Sequence, residues 1–450
     1  MIDRRELLSA MGAGFGALGL AGMLSSQATA AGPMAPRAGH HKARAKRVIY
    51  LFMNGGPSHV DTFDPKPKLA EMNGKEPGKD TTRKAGGKLM ASPFTFHKHG
   101  QSGIEVSEIF PEIGACIDDI CVLRGMHTDS PAHERALLFM NSGNMQPIRP
   151  SLGSWLTYGL GSENQNLPGF IVLCPGKPVV GPQLWSNSFL PAVYQGTHIN
   201  NASVNPKNLI RYLENAGVSR TEQRRQLDLL REMNELHLKD RGPDNQLEAR
   251  IESMEVAFRM QTEALDAFDL GKEPLAVRER YGKGEFADAC LIARRLAERG
   301  VRMTQIYYGN GQPWDDHSDI TNHRKHAEKS DRPIAMLLRD LKTRGLLDET
   351  LVIWGGEFGR TPTAQGKGRD HHSLGFTMWL AGGGVRGGTA YGATDDFGID
   401  AVDDKVHVHD LHATILYLMG IDHEKLTYRY AGRDFRLTDV AGKVMSKVLI

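Results

Sequence analysis

The sequence predicts an α/β fold with a mostly parallel central sheet, and three observations carry that expectation. Continuous apolar runs of strand length recur along the chain, led by Val48-Ile49-Tyr50-Leu51-Phe52-Met53. A run that is apolar at every position belongs in a strand buried on both faces. Helical patterns separate several of these runs, as parallel strands require. The runs also stop in glycine-containing loops that carry acids, arginines and histidines, and open α/β sheets bind ligands at the carboxyl ends of their strands.

The first thirty residues are expected to lie outside this fold. Arg4-Arg5 precedes a weakly apolar stretch from Ala10 to Leu24, and Ala28-Thr29-Ala30 follows as a small-x-small cleavage pattern. The stretch is shorter than the roughly 20 residues that span a bilayer, so it reads as an export leader of the twin-arginine kind. The mature protein is therefore expected in the bacterial periplasm or cell envelope, with no stable membrane span once the leader is removed. Residues 31–46 read as a solvated Pro/Gly/basic linker, and the main domain is expected over 47–450. The 450 residues are 40% hydrophobic and 24% charged with a formal net charge of +2, a balance that gives no argument for a nucleic-acid partner. The basic run from His40 to Arg47 has no interleaved aromatic residue, which also speaks against one. Cys116, Cys121, Cys174 and Cys290 form no Cys-x-x-Cys pair; one disulfide is compatible with export but has no assignable partners.

Within the domain, the run 48–53 opens the sheet and ends in Asn54-Gly55-Gly56-Pro57-Ser58-His59, a polar loop placed as an active-site loop would be. Residues 65–100, rich in Gly, Lys and Pro, read as an excursion over the surface. Further strands are expected at 120–123, 170–173, 303–308, 351–354 and 376–381. The stretch 206–282 differs, being highly charged, with Leu247, Ile251, Met254 and Phe258 at spacings of four, three and four and with Leu265 and Phe268 continuing the set. That periodicity predicts a helical insertion, packed on the sheet or capping the site, whose apolar stripe is core packing.

Four clusters bear chemistry. The first gathers Ser58, His59, Asp61 and Asp64 after the first strand. The second runs from His127 through Thr128, Asp129, Ser130 and Pro131 to His133, where Ser130 is either a helix N-cap or a group at an anion-binding helix start. The third holds Asp315, Asp316, His317 and Asp319, with His323 and His326 beyond. The fourth follows the apolar run 351–354 with Gly355-Gly356-Glu357-Phe358-Gly359-Arg360-Thr361-Pro362, then Gly368-Arg369-Asp370-His371-His372. Such residues often sit solvated in loops, but four clusters at strand ends of one sheet favour a shared site. Carboxylate oxygen and imidazole nitrogen without thiolate suit a divalent metal, Zn, Mn, Fe or Ca, acting as a Lewis acid on an ester or activating a nucleophile.

The order of these motifs resembles the alkaline phosphatase/sulfatase superfamily, and more closely its exported branch, domain of unknown function 1501. The matching segments are Asn54 to Asp61, Gly161 to Pro168, Glu357 to Pro362 and Gly368 to His371, and the tail from Val408 to Ile421 resembles the closing helix of sulfatases, with Asp410 as its N-cap. The resemblance implies an alkaline-phosphatase-like three-layer sandwich with a mostly parallel sheet. It places an acidic metal ligand where this chain has Asn54, and a nucleophile at Thr128, Asp129 or Ser130. Asp315 and His317 fit the next pair of ligands best, with Asp319 and His323 at the same kind of spacing. Glu357 and Phe358 stand where an Asp-His pair belongs, and the last metal histidine is His371 or His372.

The leading expectation is a periplasmic metal-dependent hydrolase of phosphate or sulfate esters, acting on a small-molecule or glycan ester. Asp315, His317 and His371 hold the metal in this reading, with Glu357 and Asp370 completing the set. Ser130 is the nucleophile, or His133 serves as base toward a water molecule. Arg360 clamps the oxyanion through its fork of donors, the other reading being a structural ion pair to Glu357, and Asn54, Ser58 and His59 touch substrate. Asn54 is uncharged and Phe358 cannot ligate, so a second metal position is weakened, and no Cys-x-Pro-x-Arg sequence occurs. These departures support the alternative of a catalytically degenerate member that binds an anionic glycan or an envelope partner.

Overall fold

The computed structural model describes residues 32–78, 85–203, 217–242 and 245–450. The leader expected over 1–30 lies outside the described residues, as do 206–216 and 243–244 of the expected insertion.

The central sheet has nine strands: β1 (Arg47–Phe52), β2 (Ile120–His127), β3 (Phe170–Leu173), β4 (Thr197–Ile199), β5 (Met303–Tyr307), β6 (Thr350–Gly355), β7 (Phe376–Ala381), β8 (Thr389–Tyr391) and β9 (Val406–His407). Their order is β8-β2-β7-β6-β1-β5-β3-β4, with β9 also beside β2. All pairings are parallel except those of β7, which runs against both β2 and β6. The six strands expected from apolar runs are present. The run 120–123 extends to His127 and so carries the strand up to the Thr128 turn.

The longer helices are α1 (His133–Ser142), α2 (Leu152–Leu160), α3 (Arg220–Arg241), α4 (Asn245–Phe268), α5 (Glu285–Glu298), α6 (His323–Thr343) and α7 (Val408–Leu418). Strand β1 shows why three layers form. Its side chains alternate between faces: Val48, Tyr50 and Phe52 enter a core with α1, α2 and α7, while Ile49 and Leu51 enter one with α5 and α6. Every β1 residue is buried, which accounts for the unbroken apolar run.

Several local expectations need correction. Residues 32–46 are not a free linker: Arg37 N–H reaches Leu160 O at 2.9 Å, and Arg44 and Ala45 both donate to Leu418 O at 2.8 and 2.9 Å. All four cysteines are buried and free. Asp410 is not the N-cap of α7. His407 holds that place, and Asp410 answers from the first turn by accepting the His407 N–H at 3.0 Å, a reciprocal capping box. Nor does Ser130 cap α1, whose N-cap residue is Ala132; the Ser130 hydroxyl instead accepts the Ala132 N–H at 3.2 Å.

In the insertion, α3 and α4 are joined by Arg224, whose two terminal nitrogens meet Glu255 at 2.7 and 2.5 Å. Val256 and Ala257 of α4 share a cavity lining with Ala192, Val193 and Thr197 at the β4 edge of the sheet. Of the expected stripe, Ile251 and Phe268 are buried, whereas Met254 is 43% exposed; the Leu265 side chain lies outside the described residues.

Candidate metal centre

Strand register brings the site together. Phe52 pairs with Tyr307 and with Gly355, so β1, β5 and β6 end level and their following loops share one edge. Strand β7 runs oppositely, and its first residue Phe376 pairs with Met126 near the end of β2. The segment preceding β7 therefore arrives at the same edge, where His371–His372 pairs with Gly359–Arg360. Close approach of loops requires glycine at 55, whose φ is 112° and where a Cβ would stand 2.6 Å from the Asp315 amide nitrogen.

Three imidazoles meet one carboxylate oxygen there. Asp315 Oδ1 lies 2.9 Å from His317 Nε2, 3.2 Å from His371 Nε2 and 3.4 Å from His133 Nε2. His317 Nε2 and His371 Nε2 are themselves 2.9 Å apart. Two of the rings are held from behind. His133 Nδ1 is 2.6 Å from Glu357 Oε1, and His317 Nδ1 is hydrogen-bonded to Gln365 Oε1. Each far nitrogen thus has a partner, and each Nε2 is turned toward Asp315, the arrangement by which carboxylates and amides orient metal-ligating histidines.

The electrostatics agree. Burial works to raise the Asp315 pKa, but the His133 and His371 imidazoles and the Arg360 cation hold the carboxyl well below its usual range. Burial also opposes charging of His133, yet Asp315 and Glu357 outweigh it and lift the imidazole to about 9. Without a metal, a proton on His133 sits between the Asp315 and Glu357 carboxylates.

The residues fit a metal. His133 Nε2 is a buried polar atom without a hydrogen-bond partner, aimed at Asp315 and His371. His133, Asp315 and His371 bring ligand atoms within 4.8 Å of one another, as do His317, Asp370 and His371. Nitrogen and carboxylate donors in this number suit Zn, Mn or Fe.

A family model described as "Protein of unknown function (DUF1501)" matches residues 45–449. The chain belongs to that family. No curated protein matches the DUF1501 chain by sequence. Solved structures similar to it include lipoteichoic acid synthase LtaP from Listeria monocytogenes, at 8% identity over 90% of this chain and 78% of that one, TM-score 0.39. PsFucS1 sulfatase from Pseudoalteromonas sp. matches at 11% identity over 85% and 69%, TM-score 0.35. Phosphonate monoester hydrolase SpPMH from Silicibacter pomeroyi matches at 12% identity over 76% and 71%, TM-score 0.33. The layered architecture of this DUF1501 protein rests on its own strand order and two cores rather than on these likenesses.

Of the expected ligands, Asp315, His317 and His371 do converge, and Asp370 stands at the rim with its side chain 53% exposed, 3.8 Å from His317 Nδ1. Glu357 is placed differently. It is fully buried, accepts the Gly55 N–H at 3.0 Å and stands behind His133, so it orients His133 rather than joining the candidate ligand atoms. His133, expected as a base, takes the vacated place among the donors. His372 turns away, with Nε2 2.5 Å from Ile399 O. Asp319 caps its own turn through Thr321 N–H at 2.9 Å, and His323 pairs with Asp316 at 2.7 Å, so the alternative ligand pair is engaged elsewhere.

The expected substrate contacts are sealed inside. Ser58 Oγ donates to Asp61, and the Ser58 N–H donates to His323 Nε2 at 3.0 Å. His59 Nε2 lies 2.7 Å from Gly398 O, and burial lowers its pKa to about 4. Asn54 is buried, donates to Gly311 O and leaves its Oδ1 without a partner. Arg360 is fully buried, with its donors on Gly55 O, Gly56 O, Arg369 O and Asp315. It holds Asp315 and two loops, not a surface oxyanion. Sequence reading missed Gln365 and the backbone N–H of Gly55, because neither residue type signals a metal site by itself.

Proposed function

We propose that this DUF1501 protein is a metal-dependent hydrolase of phosphate or sulfate esters, exported by the twin-arginine route to the periplasm or cell envelope. One observation carries the reading: three imidazole Nε2 atoms surround Asp315 Oδ1, two of them held from behind by Glu357 and Gln365. His133, His317, His371 and Asp315 would hold the ion, which supplies Lewis acidity toward an ester oxygen when bound. The export leader of the proposal rests on Arg4-Arg5, the apolar stretch after it and Ala28-Thr29-Ala30.

The chain's own residues do the positioning. Glu357 fixes the His133 tautomer by accepting from Nδ1, and Gln365 fixes His317 in the same way. The 128–130 turn supplies the nucleophile: Ser130, whose Oγ is oriented by the Ala132 N–H, or Thr128, whose buried Oγ1 has no partner. The motif order shared with the alkaline phosphatase/sulfatase superfamily supports ester hydrolysis over other metal chemistry.

A second reading, a non-catalytic binder of an anionic glycan, is favoured by the burial of Arg360, which removes the expected oxyanion clamp. Elemental mass spectrometry on protein purified without chelator, followed by a screen of aryl phosphates and sulfates, separates the two. The hydrolase reading expects bound Zn, Mn or Fe that a His133→Ala variant loses, with turnover that Ser130→Ala or Thr128→Ala abolishes. A folded protein that neither carries nor takes up metal ends it. Bound metal with no turnover of any ester leaves the binder.

A further inference from the structure

The buried charges at the centre specify more than a metal. Arg360 Nη2 lies 2.5 Å from Asp315 Oδ1, the oxygen that the three imidazoles surround. The guanidinium has no freedom to leave: Nε donates to Gly56 O at 3.0 Å, Nη1 to Arg369 O at 3.3 Å and Nη2 also to Gly55 O. It is fully buried. The flank beside it is closed as well, since the Phe358 ring packs 4.7 Å from His133 and 4.8 Å from His371. Glu357 is committed to the Gly55 N–H and to His133, and the Asn54 amide to Gly311 O. A second ion approaching Asp315 from this side would meet a fixed cation and an aromatic ring.

We propose that Arg360 is a built-in second cation, so that the centre holds a single divalent ion and takes ester groups bearing one negative charge. The inference rests on the hydrolase reading above and deepens it by naming the substrate class.

The charge inventory gives the reason. Partly buried Asp315 and fully buried Glu357 contribute two negative charges and Arg360 one positive. Imidazoles that ligate do so as neutral rings. The adjacent pair Arg369 and Asp61, both fully buried and 2.6 Å apart, cancels itself, and Asp316 is engaged by His323 at 2.7 Å rather than by the imidazoles around Asp315. One divalent ion brings the centre to a single net positive charge. A monoanionic group neutralises it, whereas a dianion leaves an uncompensated negative charge in a poorly solvated place. Half-exposed Asp370 at the rim opposes a dianion further. Sulfate monoesters and phosphodiesters share the required chemistry. A phosphate monoester, whose second pKa is about 6, carries nearly two charges at pH 8.

Metal stoichiometry by elemental mass spectrometry on the full folded chain gives the first readout. Thermal shift with two non-hydrolysable probes at pH 8, methylphenylphosphinate as monoanion and phenylphosphonate as dianion, gives the second. One equivalent of metal at saturation and at least about tenfold tighter binding of the monoanion are expected, the size of one unmatched charge near the surface of a protein interior. Arg360→Lys keeps both properties, while Arg360→Gln keeps one equivalent but loses the monoanion affinity about tenfold. Two tightly held equivalents, or a preference for the dianion, overturn the inference and leave the hydrolase reading standing. Absence of metal uptake overturns both. If the Arg360 variants fail to fold, the wild-type stoichiometry and probe preference decide alone. With binding established, 4-nitrophenyl sulfate and bis(4-nitrophenyl) phosphate distinguish the two monoanionic classes.

Discussion

The carboxyl edge of the sheet and the outer helices α3 and α4 invert each other's rule of burial. At the edge, Glu357, Arg360, Arg369, Asp61 and His323 are all fully buried. On the helices, Leu229 is 58% exposed, Met233 58% and Leu236 63%. Soluble chains place lysines, arginines and acids outside and leucines inside unless something compensates. At the edge the compensation is visible, because each buried charge meets an opposite charge or a backbone group. On the helices, α3 is held to α4 by polar contacts, through Arg224 and Arg231 to the buried Glu255. The lesson is that rigidity at the edge comes from a polar network whose members depend on one another, whereas the outer helices depend little on any single apolar side chain.

The largest effect is expected where that network is densest. Arg369 Nε lies 2.6 Å from Asp61 Oδ2 and Nη2 3.2 Å from Oδ1, with Met90 O and Thr361 O taking further donors. Arg369→Ala strands the Asp61 carboxylate in the interior, so we expect a loss of about 3–5 kcal/mol in urea unfolding. Lysine in its place restores only part, since it lacks the planar fork. A loss below about 1 kcal/mol would mean that the edge tolerates unpaired charge and would dissolve the contrast.

Asp331 on α6 sharpens the comparison, being a buried acid that makes no salt bridge among the described residues. It accepts the N–H groups of Glu112 and Ile113 at 2.8 and 2.7 Å, and burial raises its pKa from 3.8 to about 6. The folded state therefore binds the proton more tightly than the unfolded chain between those values. The contribution to stability is fully present below pH ~4 and lost as pH rises through ~6, by up to about 3 kcal/mol. Asp331→Asn should flatten that part of the stability profile relative to wild type, measured as the difference between the two urea midpoints from pH 4 to 7. An unchanged difference across that range refutes the assignment.

The sequence made the sheet legible wherever both faces are buried, as in 48–53 and 351–354, because no polar residue interrupts such a strand. It did not reveal the direction of β7, since Phe376–Ala381 has the same apolar signature in either direction. The strands Thr197–Ile199, Thr389–Tyr391 and Val406–His407 were too short and too polar to show a period. At the centre, Asp315, His317 and His371 were legible by type and by place after a strand. The exchange of roles between Glu357 and His133 was not, because it depends on a contact across 224 residues of chain. Burial of Ser58, His59 and Arg360 was equally hidden, since polar residues in a glycine-rich loop read as exposed until the neighbouring loops close over them.

The smallest effect is expected on the outer helices, and it tests the other half of the contrast. Leu229, Met233 and Leu236 lie at spacings of four and three, so they form one apolar strip along α3, yet more than half of each side chain faces solvent. Little area leaves water when such a residue folds, and serine costs only a few tenths of a kcal/mol in helix propensity. Each change to Ser should therefore move stability by no more than about 0.5 kcal/mol. The three combined should stay within about 1.5 kcal/mol, because the side chains share no buried partner and their effects add. A triple variant that lost several kcal/mol would show the strip to be covered in solution. The inversion between edge and outer helices would then be confined to the edge.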